Sequence, residues 1–203
     1  SGVYYHVSYW GVANTSYLWL NTTPLSQMYE ELKKAYDTGA QKYWILNVGD
    51  IKPSEISLEF FANLSRNIDF CDDTNIEEYI ARTAQRDFLL DGAQAAEVAD
   101  ILTHYYQYNI AKRPEFQGYE SSNGNDPYSV TANGDEAQIR VDQLRALADR
   151  AGAIYDAVDP ARRDAQLAAA DARLAAMSGL LDELFSYARA TDPDTPLDLG
   201  PVA

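Results

Sequence analysis

Apolar and polar positions change period from one segment of the chain to the next. Residues 3–9, Val3-Tyr4-Tyr5-His6-Val7-Ser8-Tyr9, are β-branched and aromatic and predict a strand, which stops where Trp10-Gly11 and a polar stretch through Thr23 begin. Pro24 then opens a helix whose apolar positions Leu25, Met28, Leu32, Ala35 and Tyr36 recur at helical spacing, with Gly39 where a C-cap glycine belongs. Residues 42–48, Lys42-Tyr43-Trp44-Ile45-Leu46-Asn47-Val48, form a nearly unbroken apolar run too short for a typical helix, and predict a strand buried on both faces. Gly49-Asp50-Ile51-Lys52-Pro53 breaks the run. Helical spacing resumes over 54–63, with Ile56, Phe60 and Leu64 on one face.

Strand, helix, strand, helix, with polar residues clustered where each strand stops, is the order of a parallel α/β fold. Two strands do not make a stable sheet covered on both faces, so further strands are expected from upstream sequence or another chain. From Ile76 onward no strand is expected before the tail, and helices are predicted at about 75–90, 93–113, 135–158 and 161–189. In the third of these Ala137, Val141, Leu144, Ala148, Ala151, Tyr155 and Val158 step by four and three, and in the fourth Leu167, Ala170, Leu174, Met177, Leu181, Leu184 and Ala188 do the same. Both stripes read as bundle seams. Asp159-Pro160 connects the two, residues 117–134 read as a loop, and 192–203 as an extended tail. The fold class is therefore α/β plus all-α: a βαβα unit over 1–68, a helical bundle over 69–190 and a tail over 191–203.

Charge sharpens this division. The net charge of −15 falls almost wholly on the helical part, since residues 1–70 carry seven acidic and five basic side chains. An acidic surface repels phosphate backbones and anionic headgroups, which argues against nucleic acid or membrane partners. No apolar run approaches the ~20 residues of a membrane span. The opening Ser1-Gly2-Val3 has neither initiator methionine nor signal peptide, so the native N-terminus is expected elsewhere. The single cysteine, Cys71, excludes an internal disulfide or a multi-thiolate metal site and reads as a lone thiol in a junction. Asn14-Thr15-Ser16, Asn21-Thr22-Thr23 and Asn63-Leu64-Ser65 match the glycosylation pattern, which short sequences often do by chance.

Candidate chemistry sits where the predicted strands stop, because parallel α/β barrels carry their reactive groups at the C-terminal strand ends. His6 with Tyr9 and Trp10 occupies the first such place, Asn47 with Asp50 the second. An imidazole among aromatic faces suits sugar rings, whose C–H faces stack while their hydroxyls need hydrogen bonds. Asn-Val-Gly-Asp adds an amide with donor and acceptor, a glycine that admits close approach, and a carboxylate. Together they read as a polyol-binding wall. The plainer alternatives stay open: His6 as a structural residue, and Asp50 as a turn or N-cap residue before Lys52-Pro53. Asn47 inside an apolar run is harder to explain that way, since an unpaired buried amide costs about 1 to 3 kcal/mol. His104, beside Tyr105 and Tyr106 on a predicted helix, reads as packing.

Gly2-Val3-Tyr4-Tyr5-His6-Val7-Ser8-Tyr9, then Trp19-Leu20-Asn21-Thr22, then Trp44-Ile45-Leu46-Asn47-Val48-Gly49-Asp50-Ile51-Lys52-Pro53, in that order and spacing, resemble the central part of glycoside hydrolase family 115, the xylan α-1,2-glucuronidases. The likeness runs through about residue 90, continues more weakly over 95–114, and fades in the alanine-rich C-terminal region. It implies that 1–68 is the C-terminal part of a (β/α)8 barrel catalytic domain, followed by a helical bundle, in an enzyme that removes glucuronic acid or its 4-O-methyl ether from glucuronoxylan with inversion. His6 and Tyr9 would then line the glucuronate pocket, Asn47 would hydrogen-bond the sugar, and Asp50 would neighbour it. The catalytic acid is expected upstream, so this chain alone is expected to be inactive, with the remainder of the same enzyme as its structural partner. No cofactor and no metal are expected; the compartment stays unsettled, with a secreted or periplasmic location favoured over a cytoplasmic one, and a homodimer stays open. Trp10-Gly11-Val12-Ala13 departs from the Gly-Gly-Pro-Arg type of loop often found after the His-bearing strand.

Two other readings compete. In one, the acidic bundle is a noncatalytic assembly or docking module braced by the N-terminal part. In the other, a different α/β barrel hydrolase uses His6 and Asp50 as base and acid.

Overall fold

The computed structural model describes residues 1–8, 17–114, 130–131, 134–158, 160–161, 164 and 168. Strand β1, Val3–His6, alternates half-buried and exposed residues, the period of two expected when one face of a sheet is covered. Proline 24 precedes helix α1, Leu25–Asp37, whose Leu25, Met28 and Leu32 are buried on one stripe. The helix stops at Thr38, and Gly39 follows with φ of 96°, a left-handed value that glycine adopts without steric cost. Strand β2, Trp44–Asn47, then pairs with β1 in parallel, in the register Val3 with Trp44, Tyr4 with Ile45, Tyr5 with Leu46 and His6 with Asn47. A 3-10 turn, Lys52–Ser54, leads into α2, Glu55–Arg66. The predicted parallel βαβα order is thus present, and among the described residues no third strand joins this sheet.

Helices α1 and α2 cover one face of the pair. Trp44 packs its ring against Tyr36 of α1 and Phe61 of α2, at centroid distances of 6.4 and 5.9 Å, and its indole Nε1–H donates to Ala40 O. The expectation that residues 42–48 would be buried on both faces is corrected: Trp44 and Leu46 turn toward the helices, whereas Ile45 is 50% exposed and Tyr4 beside it 56%. An apolar run marks hydrophobic residues, not the number of layers available to cover them.

Three further helices follow: α3, Ile76–Phe88; α4, Gly92–Ala111; and α5, Glu136–Ala157. The link between α3 and α4 is tight, with Leu89 in the left-handed region and Asp91 capping α4 through a reciprocal box with Gln94. One hydrophobic core joins the βαβα segment to α3 and α4, since Val7, Leu25, Met28, Phe60 and Leu64 share a cluster with Ile76, Tyr79, Ile80 and Ala99. At its centre Phe60, Phe70 and Tyr79 stack mutually at 5.1 to 6.1 Å, and burial pushes the Tyr79 phenol up to about 12.

The region expected to be free of strands holds a short antiparallel pair, β3, Val130–Thr131, and β4, Gly134–Asp135, immediately before α5. Two-residue strands carry too few alternating positions to stand out from a polar loop. The seam expected along α5 is also displaced: Val141 is 41% exposed and Ala148 and Ala151 are exposed, while Leu147 is buried and Leu144 half-buried. The covered stripe runs instead through Leu144, Leu147, Arg150 and Ile154, facing α4. Ala137's side chain lies outside the described residues.

The chain divides into a unit spanning Ser1–Ala157 and a second spanning Val158–Ala203. In the second, Pro160, Ala161, Asp164 and Ala168 are helical; the rest of the predicted 161–189 seam and the 192–203 tail lie outside the described residues. No described helix is long and apolar enough to cross a membrane.

Candidate functional site

Pairing in parallel puts the C-terminal ends of β1 and β2 at the same edge of the sheet, and the register sets His6 directly opposite Asn47. Directly opposed residues point to the same face, so the imidazole and the amide stand together on the face that α1 and α2 do not cover. Tyr4, two residues before His6, projects to that face as well. Its ring meets His6 edge-on, with centroids 4.6 Å apart and planes at 86°, and its hydroxyl oxygen accepts from Asn47 Nδ2 at 2.8 Å. The constellation is therefore Tyr4, His6 and Asn47. Tyr4 was legible only as strand-forming aromatic matter; the signal that could have singled it out is its spacing of two from His6.

The turn after β2 is held by backbone. Asp50 N–H donates to Leu18 O at 3.0 Å, which ties this turn to the segment after β1. Gly49 makes that approach possible: a Cβ there would meet the Leu18 carbonyl and sit 2.6 Å from Ser8 Oγ. Its close approach is thus to the neighbouring loop of the protein. Asp50 itself is exposed beside the strand end, while Tyr9 lies outside the described residues. The loop is braced further by Thr23 Oγ1, which donates to Val7 O at 3.3 Å, and by Val7 N–H, which donates to Asn47 O at 3.0 Å.

Asn21, matched above to a glycosylation pattern, is only 7% exposed, and its amide Nδ2 donates to Ser57 Oγ at 3.0 Å. It braces the loop after β1 against α2. The packed face of β1 carries Tyr5, whose phenol is pushed up to about 12 by burial first and by Glu31 second, against the opposing effect of Arg113. Tyr5 is thus a neutral packing residue, whereas Tyr4 one position earlier is exposed and polar-facing.

His104 sits on α4 with its Nδ1 2.9 Å from Asp100 O and 3.3 Å from Asp100 Oδ2, within one helix turn. It belongs to the α4 surface and not to the strand-end constellation. A groove of about 1090 Å³ runs along α1, α3 and α4, but His6, Asn47 and Asp50 do not line it. Among the described residues no group of three His, Cys, Asp or Glu side chains is arranged to hold a metal ion.

Chemically, the strand-end face offers a donor and acceptor amide, a phenol, an imidazole and exposed apolar surface at Tyr4 and Ile45. Such a surface can hydrogen-bond hydroxyls and stack on C–H faces. Among the described residues the strand register places no carboxylate pair on this face. The family model for glycosyl hydrolase family 115 matches residues 1–116, which takes in β1, β2 and the helices through α4. No curated protein matches the chain.

Proposed function

The chain belongs to glycosyl hydrolase family 115, and from that premise we propose that it contributes the sugar-binding strand ends of an α-glucuronidase acting on glucuronoxylan. In this reading residues 1–68 are the late part of a (β/α) barrel catalytic domain and 69–190 a helical domain, of which α3 and α4 share a core with 1–68. The single observation that carries it is His6 and Asn47 meeting in register at the C-terminal ends of parallel strands, on the sheet face that no described helix covers. That is the place where a parallel barrel exposes groups to substrate.

The roles follow from the donor set. Asn47 hydrogen-bonds the glucuronate ring, His6 meets its hydroxyls and, when protonated, its carboxylate, and Tyr9 and Asp50 extend the pocket. Inversion needs one carboxylic acid to protonate the leaving oxygen and a base about 6.5 to 9.5 Å away to activate water. Those carboxyl groups are assigned here to upstream barrel strands, so this chain binds and orients while the acid it serves lies elsewhere in the enzyme. A secreted or periplasmic location fits a polymeric substrate.

The test is release of glucuronic acid from glucuronoxylan by the enzyme containing this chain, with His6→Ala and Asn47→Ala compared beside their thermal unfolding. Losing the Asn47 amide should remove about 1 to 3 kcal/mol of transition-state stabilisation, roughly five- to a hundredfold in rate. Melting temperature should barely move, because both side chains face away from the core. Near-normal release by both variants, or losses that track unfolded protein, would return these residues to the scaffold.

A further inference from the structure

We propose that Tyr4 is a positioning residue that fixes the Asn47 amide and the His6 ring for ligand, an inference that rests on the sugar-binding reading above. The argument begins with what a tyrosine on this face lacks. Tyr4 is 56% exposed, so burial of its ring does not account for it, and the packing task in β1 belongs to Tyr5 on the opposite face. What Tyr4 does have is two polar neighbours, one along its own strand and one across the sheet.

Across the sheet its partner in register is Ile45, and Asn47 lies two residues further on. Diagonal neighbours are about 7 to 8 Å apart, a span that long side chains bridge. Tyr4 Oη bridges it, accepting from Asn47 Nδ2 at 2.8 Å. The amide is then fixed in sense: one N–H is held by the phenol, which sets the direction of the carbonyl Oδ1 and of the second N–H. The phenol acts here as acceptor, so its own proton remains for donation. Along the strand, the 86° edge contact at 4.6 Å holds the His6 ring in one plane. One side chain therefore constrains both groups assigned to the sugar. An amide without this contact rotates, and a sugar must then choose one of its orientations at an entropic cost.

Two measurements decide the matter. In the uniformly 15N-labelled enzyme containing this chain, Tyr4→Phe should shift the side-chain NH2 signals of Asn47, identified by their loss in Asn47→Asp. Tyr43→Phe, which removes a hydroxyl outside the constellation, should leave them in place. An unmoved Asn47 pair in Tyr4→Phe overturns the proposal. In the enzyme acting on glucuronoxylan, Tyr4→Phe should raise KM about three- to tenfold with a smaller change in kcat, the scale of one neutral hydrogen bond. Added to Asn47→Ala it should cost nothing more, because the two act as one unit. Losses that simply add, or an unchanged KM, also overturn it. If the wild-type enzyme releases no glucuronic acid, the hydrolase reading falls, and the amide signals alone decide the role of Tyr4.

Discussion

Cys71 carries the chain's single thiol, and its Sγ lies 2.7 Å from Asn75 Oδ1, inside the hydrophobic core cluster. Burial, its main influence, pushes the thiol's pKa up, so little thiolate forms at neutral pH. Iodoacetamide should therefore label native protein far more slowly than free cysteine, and the rate should rise through the urea unfolding transition. Prompt stoichiometric labelling without urea would place the thiol outside the core. At this scale the sequence was an uneven guide. His6 and Asn47 could be picked out because a polar group at the end of an apolar strand needs a reason. Asn21 could not, since a loop asparagine before Thr22-Thr23 looks exposed, and only the fold shows Ser57 waiting for its amide. Tyr4 was hidden among aromatics that favour strands whether or not they touch a ligand.

Elements were easier to read than the faces they bury. The α1 stripe, Leu25, Met28 and Leu32, is apolar throughout and its covered side follows from spacing alone. On α5, alanines fall on two opposite sides, and the covered stripe includes Arg150, which a hydrophobic pattern never counts. Arginine stems lie along apolar surface while their heads reach partners, so such a stripe is half-disguised. Arg140 shows the same habit, its guanidinium 5.8 Å from the Tyr108 ring centre. The register of α5 has a direct test. Leu147, 6% exposed, when changed to Asp should cost several kcal/mol, on the order of 3, because a charge is enclosed without a partner. Val141→Asp should stay within about 0.5 kcal/mol. Equal melting temperatures for the two variants would contradict the face assigned here.

For the molecule as a whole, the concentration of negative charge beyond residue 70 makes cationic crosslinks conspicuous. Arg86 of α3 forks onto Glu59 of α2, and Arg150 of α5 reaches both Glu97 and Asp100 of α4 at 2.6 and 2.5 Å. The Arg150 hydrogen bonds hold both of those carboxyls below the usual carboxylate range. A carboxyl whose folded value is depressed stabilises the fold above its unfolded value, near ~4, and that contribution is lost as pH falls through the folded value. Wild type should therefore melt above Arg150→Met at neutral pH, and the gap should narrow below about pH 4. A gap that persists unchanged into strong acid would trace the effect to packing of the arginine stem. The parallel βαβα order was legible from alternating periods. The shared core that carries Phe60 against Tyr79 was not, because contacts between distant segments leave no local pattern.

The parallel register also sets a timetable for folding. Every bond between β1 and β2 joins residues about 40 positions apart, as Val3 with Trp44, so no rung can form early from neighbouring sequence. Closing a loop of that length costs on the order of 3 kcal/mol before any rung repays it, and contacts of such separation slow folding. During synthesis β1 emerges before β2 and cannot pair with it until α1 and β2 have followed. The same four residues that carry Tyr4 and His6 on the uncovered face thus gain their β2 partner only after about 40 further residues have been made.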